Sequence, residues 1–125
     1  LTSLQEEMMG AWDDAIFSEE VNVDFLDELA NLDEEDVLEA VEDACTVAVK
    51  QDSVSDDEVK NALCAATIAA IWAGAPFSAG EVADTYTFIR EMRGSGSDQL
   101  REVALDVLEN ADVDEDLDVY IEALT

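Results

Sequence analysis

Residues 61–80 read NALCAATIAAIWAGAPFSAG, twenty positions without a charge in a 125-residue chain that is otherwise dense in acid. Just ahead of them, Ser55-Asp56-Asp57-Glu58 has the spacing of a capping box, a hydroxyl at the N-cap and a carboxylate three residues on. That spacing predicts a helix from Asp56 to about Ala73. Twenty apolar residues would suit a membrane span. Six alanines with Asn61 and Thr67 between positions 61 and 73 make the stretch only mildly hydrophobic, and Pro76 and Gly80 shorten it. A helix apolar on all sides is one enclosed by other helices. It is the expected hub of the fold.

The flanks supply the enclosing helices. A first helix is expected from Thr2 or Ser3 to about Phe17, and a short second one after Asn22 with Phe25, Leu26 and Leu29 inward. A third runs from about Asp33 to Lys50. Glu34, Glu35 and Asp36 suit the positive end of its dipole and Lys50 the negative end. Ser78-Ala79-Gly80-Glu81 repeats the capping-box spacing and opens a fifth helix running to about Arg93. Gly94-Ser95-Gly96-Ser97 is a flexible joint. A sixth helix then turns Leu100, Val103, Ala104, Val107 and Leu108 inward, and a last one starts near Asp114. With one proline, five glycines and no alternating β-branched run, the prediction is all-α: a single domain over residues 1–125, of six or seven helices around the Ala-rich apolar one.

Charge sets the environment. The chain holds 33 Asp and Glu against 5 Lys and Arg, a net charge of −28. Self-repulsion of that size works against a compact state. Salt relieves it, since the Debye length falls from about 10 Å at ~0.1 M to about 3 Å at ~1 M. Lysine is reduced to Lys50 and Lys60. This composition resembles that of cytoplasmic proteins of salt-accumulating halophiles, the haloarchaea above all. The resemblance implies a cytoplasmic location in molar salt, where carboxylate surfaces are the ordinary solvated state. Residues 1–20 lack the basic-then-apolar pattern of a secretory leader, and a start at Leu1 leaves the native ends open.

The inventory narrows the chemistry. With no histidine, Cys/His zinc sites and His-based acid–base catalysis are excluded. Cys45 and Cys64 form no CxxC; in a hairpin turning near residues 52–55 they come to similar depth, as small buried hydrophobes. Asp112, Asp114, Asp116 and Asp118 match the first four alternate positions of a calcium loop. Leu117 stands where the turn wants glycine, however, and Ala123 where the bidentate glutamate belongs. Glu39 and Glu42 form an ExxE pair, and Glu58 opens the next helix. In part this resembles the all-α nucleotide pyrophosphohydrolases of the MazG and dimeric dUTPase kind. That resemblance implies Mg²⁺ held by Glu39, Glu42 and Glu58, with Asn61 where the pattern has aspartate. Gly94-Ser95-Gly96 follows a helix rather than a strand and is no phosphate loop.

Charge is also uneven: −19 over residues 1–58, zero over 59–97 and −9 over 98–125. A neutral stretch in an acidic chain meets protein more than solvent. Within it, Tyr86, Arg90 and Arg93 fall on one helical line with Phe88 and Met92 beside them. Tyr and Arg are the residue types that interface centres favour. The expected function is a non-enzymatic interaction or regulatory module without a cofactor, whose partner is another protein or a second copy. The Mg²⁺-dependent hydrolase is the alternative, and an acidic nucleic-acid mimic the third reading. Two arginines amid −28 do not make the basic footprint that direct nucleic-acid binding requires.

Overall fold

The Ser55 capping box forms as its spacing predicts. In the computed structural model, which describes residues 12–50, 55–75, 84–111 and 117–125, Glu58 N donates to Ser55 Oγ at 3.2 Å and Ser55 N donates to Glu58 Oε1 at 3.1 Å. The described residues form seven helices and no strand. These are α1 (Trp12–Ser18), α2 (Glu20–Ala30), α3 (Glu34–Lys50), α4 (Asp56–Trp72), α5 (Phe88–Glu91), α6 (Asp98–Glu109) and α7 (Asp118–Leu124). This is the all-α bundle, with α4 at its centre.

Residues 62–72 of α4 are buried without a break, from Ala62 through Ile68 to Trp72. Alanine at 62, 65, 66, 69 and 70 keeps the helix thin enough for neighbours on every side. Full burial of Ile68 or Ile71 contributes about 1.5–3 kcal/mol each. The helix ends on a glycine. Gly74, at φ +121°, lets its own N–H reach Ile71 O at 3.0 Å and Ala75 N–H reach Ala70 O at 2.9 Å, a Schellman closure that needs a positive φ.

α3 packs most extensively on α4, and α6 lies against both. The α3 stripe Val37, Val41, Cys45 is four residues apart and buries one face, leaving its acids outside. α6 buries Leu100, Ala104, Val107 and Leu108, and starts at Ser97, whose Oγ accepts from Leu100 N at 3.1 Å. α7 lies on α4 and α6, while α1 and α2 cover a further side of α4. Among the described residues no helix is long and apolar enough to cross a membrane.

Three expectations change. α2 does not follow Asn22 but contains it: wholly buried, Asn22 Nδ2 donates to Ile16 O at 2.7 Å. That satisfies a carbonyl in the last turn of α1, so the asparagine closes the preceding helix rather than opening its own. The continuous helix expected up to Arg93 is broken at Tyr86–Thr87, leaving α5 only four residues long. The last helix begins at Asp118 rather than near Asp114. The early part of the expected first helix, the second capping box at Ser78–Glu81 and most of the aspartate run at 112–116 lie outside the described residues.

Candidate functional site

Residues 84–94 form a strap across one end of α4. Ile89 and Met92 drop into the core, each 1 % exposed, and Gly94 N donates to Trp72 O at 2.8 Å. That bond closes one of the free carbonyls at the end of α4, and Gly94 makes it at φ +88°, where glycine fits without strain. The break at Tyr86–Thr87 is spanned by short-range bonds, Ile89 N to Tyr86 O at 3.1 Å and Arg90 N to Thr87 O at 3.0 Å. It lets Tyr86 face α2 while Ile89 and Met92 face α4. Tyr86 Oη donates to Asp27 Oδ1 at 2.6 Å, fifty-nine residues away in sequence. Its ring meets Phe88 edge-to-face, with centroids 6.4 Å apart and planes at 61°.

Of the five residues expected at the interface, Met92 is therefore a core residue. Two hydrophobic side chains three apart, Ile89 and Met92, anchor the strap and take the face that a longer helix would have offered to a partner. Tyr86 and Phe88 are half-buried against the core. Arg90 and Arg93 are exposed, and Arg90 Nη1 lies 3.4 Å from Asp84 Oδ1 in an exposed pair. The hydrogen bond to Asp27 pushes the Tyr86 hydroxyl up to about 12, with burial and the charges of Asp27 and Asp24 adding to it. The phenol stays neutral and the strap stays tied to α2.

The three glutamates of the hydrolase pattern are not gathered. Glu39 is exposed, Glu42 is half-buried near Cys45, and Glu58 spends a carboxylate oxygen on Ser55. Among the described residues no cluster of three or more His, Cys, Asp or Glu side chains is arranged to hold a metal. Cys45 and Cys64 are both wholly buried, and Cys45 Sγ lies 4.0 Å from Ala62 O, as the hairpin predicts. Burial, with the nearby Glu42 charge, pushes the Cys45 thiol up to about 12. Burial pushes Cys64 higher, with Cys45 adding to it.

The chain matches the family model described as Domain of unknown function (DUF4259) over residues 10–123. It belongs to that family. No curated protein and no solved structure matches it.

This DUF4259 domain has a second surface feature that its sequence did not announce. An apolar groove of about 330 Å³ opens where the C-terminal ends of α3 and α6 meet the start of α4. Ala48, Val49, Val59 and Ala62 line part of it, with Asp106 and Asn110 on the α6 side. Val49 and Val59 are among the few large hydrophobics left exposed. Periodicity assigns each of them to a different helix, so their meeting needs the hairpin.

Proposed function

We propose that this DUF4259 chain is a non-enzymatic interaction module of a molar-salt cytoplasm, which docks on protein through the strap residues Tyr86, Phe88, Arg90 and Arg93. One observation carries the reading: two exposed arginines stand on a segment held at both ends, by Tyr86 on Asp27 and by Gly94 on Trp72. A preorganised arginine loses less freedom on binding than one on a loose loop. An aromatic pair beside it supplies the contact area that interface centres favour. The surrounding acid is solvent adaptation, and the module needs no cofactor.

The test is capture with the full chain as bait at about 3 M KCl, a concentration at which long-range attraction is screened out. The reading expects a stoichiometric protein partner, a differently tagged copy of the chain included, that Arg90→Glu/Arg93→Glu loses while keeping its helical spectrum. Equal capture by the wild type and the variant overturns it.

A further inference from the structure

We propose that the groove where α3, α4 and α6 meet is a binding site for a small aliphatic amine, with the alkyl chain on its valines and the ammonium group on its α6 wall. The site is separate from the strap and does not depend on it. What marks the groove is apolar surface where this chain otherwise keeps acid. Val49 and Val59 are 41 % and 38 % exposed, so neither is needed to fill the core, and both line the same groove. Each has charged neighbours, Lys50 after Val49, and Glu58 and Lys60 around Val59. Solvation would favour a charge at these two positions as well. Ala48, Ala62, Leu63 and Val107 extend the apolar lining on three helices.

The polar side of the groove offers acceptors. Among the described residues that line it, Asp106 is the one charged residue and Asn110, a turn further along, the one other polar residue. Asn110 Nδ2 donates to Asp106 O at 2.8 Å, which leaves its amide oxygen to accept. The Asp106 carboxylate is exposed and has no ion pair or side-chain hydrogen bond among the described residues. α3 and α6 both end at the groove, and helix C-termini add partial negative charge. Lys50 stands exposed at the end of α3 and is not part of the lining. A ligand that satisfies this wall donates hydrogen bonds and carries positive charge; a carboxylate or a phosphate is turned away.

Size and shape limit the rest of the ligand. An apolar cavity of about 150 Å³ takes a molecule of benzene size, so a groove of about 330 Å³ has room for a chain of roughly six to ten carbons. Apolar lining with a few convergent polar groups is the usual make-up of a small-molecule site. Charge alone would not select this place, since Asp106 is one of 33 acids. The alkyl chain selects it and the carboxylate sets the sign of the head.

The experiment titrates the full chain, with its Val and Leu methyl groups labelled for NMR, with hexylamine at about pH 7 in ~3 M KCl, where loose attraction to the acidic surface is screened. Saturable shifts should centre on Val49, Val59, Leu63 and Val107. Butylamine should bind more weakly, by up to about fourfold for each methylene removed. Hexanol and Asp106→Asn should each weaken binding about threefold, and hexanoate should bind least. Ala48→Leu, which fills the groove, should lose hexylamine while keeping its helical spectrum. Absent or non-saturating shifts, shifts spread over the surface, or binding that Ala48→Leu leaves intact overturn the site. Hexanol or hexanoate binding as tightly as hexylamine overturns the amine as its ligand.

Discussion

Replacing Ala66 by leucine tests whether α4 is as tightly enclosed as its burial implies. Ala66 is 0 % exposed, in a run buried from Ala62 to Trp72. Leucine adds three carbons. With room for them, burial at about 0.8 kcal/mol per methylene would stabilise the fold by roughly 2 kcal/mol. With neighbours already in contact, overpacking costs about 1–3 kcal/mol instead. The sign decides. Ala48→Leu is the control, because Ala48 is only half-buried and lines a groove of about 330 Å³ that can take the longer side chain. Alanine and leucine differ little in helix propensity, so that contribution nearly cancels between the two sites. In thermal unfolding followed by circular dichroism at about 3 M KCl, Ala66→Leu should lower Tm by roughly 3–15 °C, taking about 3–5 °C per kcal/mol at this size. Ala48→Leu should leave Tm unchanged or raise it. A rise for Ala66→Leu, or an equal loss at both positions, would refute the enclosed-hub argument.

The strap and the thiols give two more tests. Tyr86 keeps its proton in the folded chain up to about 12, against an ordinary value of 10.0. Its contribution is thus complete below about pH 10 and lost as pH rises toward 12. Tyr86→Phe should cost about 1 kcal/mol at neutral pH, the charged-acceptor bond being reduced by its exposure, and its Tm gap from the wild type should close over that alkaline range. A constant gap would show that the bond to Asp27 is not what the hydroxyl supplies. Cys45 and Cys64 are buried and both pushed up, so neither is a ready nucleophile. Iodoacetamide at about pH 8 should label neither in the native chain and both after unfolding, and rapid native labelling of either would contradict their burial.

What could be read before the structure follows from which forces act locally. The hub was legible because enclosure leaves a mark at every position from Asn61 to Trp72, and because the Ser55–Glu58 box depends on residues three apart. α3 and α6 were legible for the same reason, each having one buried stripe, with acids in the first turn of α3 and a Ser97 cap on α6. Asn22 misled because asparagine before an apolar run is also a helix opener, and only the fold shows that its amide reaches Ile16 O. The strap was half legible. Met92, expected at an interface, is buried in the core, and the break at Tyr86 answers a long-range demand. Asp27, Trp72 and the core pull on neighbouring residues in different directions. The groove between Val49 and Val59 had no local signal at all.

Burial accounts for most of the charge map, and what it leaves over is informative. α2, α3 and α6 each need one apolar face, so their remaining positions are free to carry acid. α4 is enclosed beyond Asn61 and has no such positions, which explains why the charge vanishes there. The strap buries Ile89 and Met92, but its neutrality comes from cancellation, with Arg90 and Arg93 matched in number by Asp84 and Glu91. Arg90 and Arg93 do not fit this account. They are exposed, in a chain that sets acid at most of its charged sites, and solvation alone would favour acid there too. The strap is held by Tyr86, Ile89, Met92 and the Gly94 N–H, and Arg90 adds an exposed pair with Asp84. Part of this cationic charge answers the strap's own acid, since the Arg90 guanidinium lies 3.4 Å from the Asp84 carboxylate.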